Sequence, residues 1–285
     1  MSHRSKLYSF ISLVGLIGMT SAACVEEFPP RSNIDGLRIL ALVADKFEVS
    51  VTDPKPVQIE PFVVATSTKT LTHEWRFCPI SAGGRAGFAC AIASCEIDIP
   101  STPSGKIIFH PGQAALACIQ SLSDNASAQE QEIFESADNI PDNVETVFRY
   151  TVTDENGESA EAIFRLPLWI MNTPSELNQA ISIETIKVGG MTVTSTPAEI
   201  VLNSLEEIPL EVQLDPNTIE EQDDPIIAFF STQGRFSSEL ALGSDIDSIL
   251  RVEQLAVSDL DLYIVARDLR GSQDVLGPIS IKRSP

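Results

Sequence analysis

The 285-residue chain is poor in basic residues, since 19 lysines and arginines stand against 40 aspartates and glutamates and give a formal net charge of −21. A protein that binds nucleic acid neutralises phosphates with clustered basic side chains, so this deficit excludes a nucleic-acid partner. The same charge disfavours electrostatic docking on anionic lipid. Hydrophobic residues nevertheless make up 43% of the chain, which is enough to build a buried core.

Common catalytic motifs are also missing. The sequence has three histidines and contains no H-E-x-x-H zinc motif, no G-x-S-x-G nucleophile elbow and no G-x-x-x-x-G-K-[ST] phosphate loop. Adjacent carboxylates such as Glu206-Glu207 are present, but 40 acidic residues make such pairs expected by chance. We therefore predict a non-catalytic protein without a required cofactor.

Long apolar runs are absent except at the N-terminus. Arg4 and Lys6 precede an apolar core, Leu7–Met19, and small residues then lead to Cys24. These 13 residues are fewer than the roughly 20 that a membrane-spanning helix needs. We therefore predict that residues 1–23 are a signal peptide for export.

The end of this segment resembles the processing motif of bacterial lipoproteins. Ser21-Ala22-Ala23-Cys24 matches that motif at Ala23 and Cys24 and departs from it at Ser21, where the family usually has an aliphatic residue. The resemblance implies cleavage before Cys24, acylation of Cys24 and anchoring to a membrane through the lipid. Since no aspartate follows Cys24, it also implies an outer-membrane location. Ser21 and Ala23 fit ordinary secretory cleavage too, so simple secretion stays open.

The cysteine count is odd, and acylation of Cys24 explains it. Four cysteines then remain in an exported chain, where an even set predicts two disulfides. Four cysteines allow three pairings, and the sequence does not choose among them. A zinc site is the alternative, but no two of the four form a C-x-x-C pair. The four disulfide candidates are Cys78, Cys90, Cys95 and Cys118.

The rest of the chain is typical of an all-β protein. Short apolar or alternating segments are separated by turn residues, as in β-sandwiches. In the first half we predict strands at 37–43, 57–65, 73–77, 144–153 and 160–168. In the second half we predict strands at 181–188, 208–214, 226–230, 260–267 and 275–282. One large barrel or jelly roll is the alternative architecture.

Each half ends with a strand, a D-x-x-G turn and a further strand. The two turns begin at Asp154 and Asp268, about one domain length apart. This repeat predicts two domains rather than one. The predicted organisation is a tether over residues 24–36, a first domain over 37–170, a linker over 171–179 and a second domain over 180–285.

The first half is longer between its central strand and its D-x-x-G turn than the second half is. We therefore predict an insertion at about residues 78–143, which contains the four body cysteines. Within it, residues 126–137 are helix-prone, with Asn125 as the N-cap, and His110-Pro111-Gly112 is typical of a turn. His73 shares a strand face with Trp75 and is predicted to be structural.

Two stretches carry a resemblance to immunoglobulin-like domains of the polycystic-kidney-disease-repeat type. Residues 150–157, YTVTDENG, look like the penultimate strand and turn of such repeats, and residues 73–77, HEWRF, look like their central aromatic strand. The chain is also similar to tandem immunoglobulin-like lipoproteins of myxobacteria, through Trp75 and the Cys78-Pro79 pair. The resemblance implies two tandem immunoglobulin-like β-sandwiches at a cell envelope and implies no activity.

Clustered acidic residues raise one cofactor hypothesis. Hard cations prefer several oxygen ligands, and acidic residues cluster on a loop just before the strand predicted at 226–230. The calcium candidates are Glu220, Glu221, Asp223 and Asp224. The complete D-x-[DN]-x-[DN]-G motif is absent, and a solvated acidic loop is the competing interpretation.

These observations predict a lipid-anchored envelope protein that presents immunoglobulin-like domains to an unknown protein or glycan. The cysteine-bearing insertion is the expected contact surface, because loops on rigid scaffolds often carry binding sites. Two alternatives stay open. One is an accessory subunit of an envelope secretion or assembly complex, and the other is an enzyme that uses the insertion.

Overall fold

A computed structural model describes residues 31–65, 70–125, 142–174, 177, 179–219, 224–252, 259–268 and 270–284. The predicted signal peptide and Cys24 lie outside these ranges. In the described part of the chain, no helix combines the length and apolar character that crossing a bilayer requires.

The described residues before position 170 form two facing sheets. Their elements are β1 (Arg38–Ala44), β2 (Val49–Ser50), β3 (Val57–Val64), β4 (Leu71–Cys78), β5 (Ile97–Ile99), β6 (Ile107–Phe109), the helix α1 (Pro111–Asn125), β7 (Asn143–Asp154) and β8 (Ser159–Trp169). One sheet has the strand order β1-β3-β6, and the other has the order β2-β8-β7-β4-β5. Trp75, Phe77, Phe148 and Tyr150 fill the core between them.

The second half repeats this arrangement. Its strands are β9 (Ile183–Val188), β10 (Met191–Val193), β11 (Ala198–Leu202), β12 (Glu207–Leu214), β13 (Ile226–Ser231), β14 (Arg235–Phe236), β15 (Leu240–Leu242), β16 (Asp245–Arg251), β17 (Asp259–Arg267) and β18 (Gln273–Arg283). The sheets are β10-β9-β12-β16-β14 and β11-β18-β17-β13-β15. Strict alternation of buried and exposed residues along β12 places one of its faces in a mainly aliphatic core.

The strand order identifies both halves as immunoglobulin-like sandwiches. In each half the last strand pairs with the penultimate strand, which pairs with the central strand, in the order β8-β7-β4 in the first half and β18-β17-β13 in the second. The opposite sheet is β1-β3-β6 in the first half and β10-β9-β12-β16-β14 in the second. A short early strand joins the last strand in parallel in both halves, β2 with β8 and β11 with β18. The predicted fold class, two tandem immunoglobulin-like β-sandwiches with a disulfide-bearing insertion and a short helix in the first, is confirmed.

The two D-x-x-G turns have the same geometry. Asp154 Oδ1 accepts hydrogen bonds from the backbone N–H groups of Asn156 and Glu158, at 2.8 and 2.9 Å. Asp268 Oδ1 accepts from those of Arg270 and Ser272 at 2.9 and 2.8 Å. An aspartate that hydrogen-bonds to the backbone ahead of it fixes a tight turn, so each turn sets the register of the hairpin that it closes.

The insertion is built differently from the expectation. The described helix α1 begins at Pro111, where the sequence predicted a turn, and that prediction is wrong. Proline suits the first helical position because the missing N–H would have no helical partner there. The helix predicted over residues 126–137 lies outside the described residues. Within the same segment, β5 pairs with β4 and β6 pairs with β3, so both belong to the sandwich sheets.

The two sandwiches pack against each other through a shared apolar cluster. Arg267 also crosses this contact, where its Nη2 donates a 2.7 Å hydrogen bond to the backbone oxygen of Leu40. Burial lowers the pKa of the Arg267 guanidinium. The described residues from Arg31 onward belong to one compact unit. The buried members of the contact, here called the inter-sandwich cluster, are Ile34, Leu40, Ala41, Val64, Ala228, Tyr263 and Val265.

The last residues of the predicted tether belong to the folded structure. Asn33 forms a parallel bridge with Ser231 at the end of β13. Ile34 N donates to Ser231 O, and Ser231 N donates to Ser32 O, both at 2.9 Å. Ser32 and Ile34 are each only 2% exposed. Residues 32–34, which were predicted as part of a tether over residues 24–36, are therefore attached to the second sandwich, because their backbone groups complete the free edge of β13.

Candidate interaction surface

The outward side of strands β4, β7 and β8 carries mainly polar residues, arranged in rows across the strands. Strand register places Glu74, Thr151 and Glu161 side by side, and the next row joins Arg76, Arg149 and Ile163. The opposite side of the same strands faces the aromatic core. We call these six residues the outer-sheet surface; they line a concavity of about 230 Å³.

A disulfide loop forms a wall at one end of this surface. Cys78, the last residue of β4, is bonded to Cys90 with a Cα–Cα distance of 5.4 Å. Ser81 forms a bridge with Cys90 and also donates its N–H to Glu145 O of β7. Val147 lies on the outward side between Cys78 and Arg165, yet it is fully buried. The segment that the disulfide closes therefore covers the end of the sheet.

Side chains of the sheet hold the tip of the loop in place. Arg149 Nη2 donates a 2.9 Å hydrogen bond to Gly87 O. Arg165 places its guanidinium carbon 5.8 Å from the centre of the Phe88 ring, a distance suited to a cation–π contact. Arg165 also lies 3.3 Å from Glu145. The loop is thus fixed to the sheet by a covalent bond at its base and by arginine contacts at its tip.

The charges of the surface are mixed and exposed. Arg76 and Arg149 lie directly opposite each other on neighbouring strands, and Glu74 and Glu161 flank them in the next row. Arg76 Nε is 3.4 Å from Asp98, and both side chains are largely exposed, so this pair contributes little to stability. Guanidinium donors beside carboxylate acceptors suit recognition of a polar ligand, such as a peptide carboxylate or sugar hydroxyls.

The second disulfide supports the helix of the insertion. Cys95 is bonded to Cys118 on α1, with a Cα–Cα distance of 5.4 Å. Together with Ile92 and Leu122 these cysteines form a small buried cluster apart from the main core. At its N-terminal end the helix packs closely on the first sandwich, because a Cβ at Gly112 would meet the backbone of Val51 at 2.6 Å. The predicted use of all four body cysteines as two disulfides therefore agrees with the structure, which also supplies the pairing.

The two histidines of the body take part in packing. His73 Nδ1 lies 2.6 Å from the hydroxyl of Tyr150, beside Trp75, whose Nε1 donates to Gly105 O at 2.7 Å. Burial lowers the pKa of His73 and raises that of Tyr150. His73 therefore favours the neutral form, in keeping with the structural role that the sequence indicated. His110 precedes α1, and its Nδ1 is buried with no hydrogen-bond partner among the described residues.

The calcium hypothesis falls mostly outside the described residues. Glu220, Glu221 and Asp223 are not among them, whereas Asp224 is described and exposed. Within the ranges that the structure describes, no three histidine, cysteine, aspartate or glutamate side chains are grouped to hold a metal ion. Calcium binding at this loop thus stays a hypothesis.

Sequence reasoning located the cysteine-bearing segment but not the residues of the outer-sheet surface. The alternation of β7 and β8 carries a usable signal, since Arg149, Thr151, Glu161 and Ile163 occupy the outward positions of a period-2 pattern. What the sequence lacks is the strand register that sets Arg76 opposite Arg149. It also gives no sign that the loop tip at Gly87 reaches a strand 62 residues away.

Comparisons with protein-family models and with curated proteins gave no match. Among solved structures, the D00-D0 domain of intimin is 11% identical and has a TM-score of 0.25; the match covers 88% of this chain and 99% of that chain. A putative membrane anchored protein from Corynebacterium diphtheriae is 12% identical with a TM-score of 0.24, covering 88% and 59% of the two chains. The fibronectin(III)-like modules of Clostridium thermocellum CbhA are 11% identical with a TM-score of 0.23, covering 87% and 94%. The immunoglobulin-like assignment rests on the strand order described above.

Proposed function

We propose that the chain is a non-catalytic interaction protein of a bacterial envelope, exported by residues 1–23 and anchored in the outer membrane by acylation of Cys24. It binds a protein or glycan partner through the outer-sheet surface of the first sandwich. The domain boundaries of this proposal are 37–170 and 180–285, with a linker at 171–179. No nucleic acid and no required cofactor take part.

One observation carries this proposal: the Cys78–Cys90 loop is held against the outer side of a five-stranded sheet and leaves a walled, polar concavity beside it. A rigid scaffold with a cross-linked loop loses little conformational entropy on binding. The two disulfides also favour an oxidising compartment, as expected for an exported protein.

Anchoring predicts the state of Cys24 in the native protein. Mass spectrometry of the chain purified from its source envelope should show a mature chain that begins at Cys24 and carries acyl groups, because cleavage and acylation are coupled in lipoproteins of the kind that the motif resembles. A Cys24→Ala chain should be released from the membrane fraction, since acylation of this cysteine supplies the lipid anchor. A native chain that begins at another residue, or an unmodified Cys24, contradicts the anchoring part of the proposal.

Binding through the outer-sheet surface predicts a selective effect of Arg76→Ala. Cross-linked capture of partners from the source envelope should fall about tenfold or more, since a lost charge-assisted hydrogen bond costs about 1.5–3 kcal/mol. The melting temperature should hardly change, because Arg76 is exposed and its pairing with Asp98 is weak.

Arg251→Ala is the matched control for this experiment. Arg251 is a similarly exposed arginine paired with Glu207 at 3.1 Å, and it lies in the second sandwich. Its replacement should leave capture unchanged. Equal capture by the Arg76→Ala chain and the original chain would assign the binding surface elsewhere, while equal losses in both arginine variants would indicate a nonspecific charge effect.

A further inference from the structure

The chain joins the folded unit at the second sandwich, although the first sandwich comes first in sequence. Ser32 and Ile34 exchange backbone hydrogen bonds with Ser231 at the end of β13. Ser32 Oγ also donates a 2.9 Å hydrogen bond to Glu239 Oε1, just before β15. An N-terminal anchor would therefore hold the protein beside the edge formed by β13 and β15.

The length of chain between anchor and attachment point is short. Ser32 follows Cys24 by eight residues, which span at most about 26–29 Å when fully extended. The proposed acyl group must thus lie within this distance of Ser32. The edge of the second sandwich that bears Ser231 and Glu239 is consequently the part of the folded unit that the anchor keeps within this reach of the bilayer.

That edge carries two exposed leucines. Leu240 and Leu242 are 63% and 70% exposed, whereas Ala241 between them packs against the core of the second sandwich. Register places Leu240 beside Ala228, a member of the inter-sandwich cluster, so both leucines extend an apolar face beyond the part that the first sandwich covers. β15 is also the edge strand of its sheet.

We infer that Leu240 and Leu242 form the point at which the folded protein rests on the lipid bilayer that holds its N-terminal anchor. This inference relies on the proposed anchoring. Apolar side chains that reach the headgroup boundary add to the membrane affinity of a lipid-anchored protein. The contact is apolar rather than electrostatic, which fits a chain of net charge −21 that anionic lipid would repel.

The membrane contact and the outer-sheet surface lie on different parts of the protein. The leucine edge that rests on the bilayer belongs to the second sandwich, whereas the outer-sheet surface belongs to the first sandwich and to a different sheet. Other exposed apolar side chains belong to other strands: Ile108 lies on β6, in a sheet of the first sandwich, and Val201 lies on β11. Val201 lies on the opposite edge of the same sheet as β15, four strand spacings or about 19 Å away.

Tryptophan quenching by brominated lipid tests this inference. Four single variants of the mature chain are made, Leu240→Trp, Leu242→Trp, Val201→Trp and Ile108→Trp, and compared with the unaltered chain, whose own tryptophans supply a common background. Each chain is coupled through the thiol of Cys24 to a maleimide-headgroup lipid in vesicles of phosphatidylcholine with brominated acyl chains. The other four cysteines are in disulfides, so coupling is directed to Cys24.

The expected result is loss of most of the added indole emission, with a blue shift, for the two leucine variants. The Val201 and Ile108 variants should keep their emission, and all four should melt within a few degrees of the unaltered chain. Quenching at Ile108 or Val201 equal to that at the leucines, or absence of quenching at both leucines, would overturn the inference. Because the lipid is attached chemically, these outcomes are independent of native acylation, which mass spectrometry of Cys24 tests by itself.

Discussion

Replacement of both Cys95 and Cys118 by alanine is expected to release the C-terminal part of the helix α1, which contains Cys118, from the first sandwich. The bond closes a loop of 23 residues, and removing such a cross-link costs about 3 kcal/mol of local stability. The cluster that surrounds it has few other buried members, notably Ile92 and Leu122. So small a core holds the C-terminal part of the helix weakly without the covalent link, whereas Ala115 near its N-terminal end stays packed in the main core.

Hydrogen exchange followed by mass spectrometry measures this effect directly. The backbone amides in the C-terminal part of α1 should lose protection in the Cys95→Ala/Cys118→Ala chain, while those of β17 and β18 in the second sandwich stay protected. Leu116→Ala serves as the control, because Leu116 lies on the same helix with 43% of its surface exposed. This substitution should lower the stability of the chain by no more than about 0.5 kcal/mol. Unchanged protection of α1 in the double variant would mean that apolar contacts alone hold the helix.

Val265→Lys is expected to separate the two sandwiches. Val265 is fully buried in the inter-sandwich cluster, on the face of β17 that the first sandwich covers. A lysine there is too large for the site and carries a charge. Arg267, two residues along the same strand face, repels that charge rather than pairing with it. Burial of an unpaired charge costs several kcal/mol. We therefore expect the variant to destabilise the packing of the two sandwiches against each other by about 2–4 kcal/mol.

Each sandwich keeps its own core in this variant, since the residues of the two main cores lie apart from the inter-sandwich cluster. Calorimetry should therefore show two transitions in place of one, and X-ray scattering should show a larger radius of gyration. Val201→Lys is the matched control, since Val201 is 52% exposed on an edge strand of the same sheet. A single transition and an unchanged radius for Val265→Lys would contradict the idea that this cluster couples the two sandwiches.

The strand pattern of the chain could be predicted well because alternation reports a buried and an exposed side. β12 has this pattern over its whole length, and the sequence located it to within one residue. Helix α1 lacked a comparable signal. It begins with Pro111-Gly112, which elsewhere forms turns, and the contact of Gly112 with Val51 is a tertiary one.

One signal for the inter-sandwich contact was present in the sequence. β17 is apolar at consecutive positions and is buried on both sides, from Leu262 to Ala266. Continuous apolar runs are typical of strands covered on both faces, whereas a sandwich strand with a solvated face alternates. This run indicates that something covers the outer side of the second sandwich, but it does not identify the first sandwich as the cover.

The amino-acid sequence by itself determined the fold class, the repeat of two sandwiches and the presence of two disulfides, because these follow from local alternation, turn residues and cysteine count. Tertiary structure alone decided which cysteines pair, that the Cys78–Cys90 loop lies over the outer-sheet surface, and that residues 32–34 join the second sandwich. Those features depend on contacts between residues far apart in the chain, such as Ser32 and Glu239. Local patterns report which side of a strand is buried, and they do not identify the distant residues that pack against it.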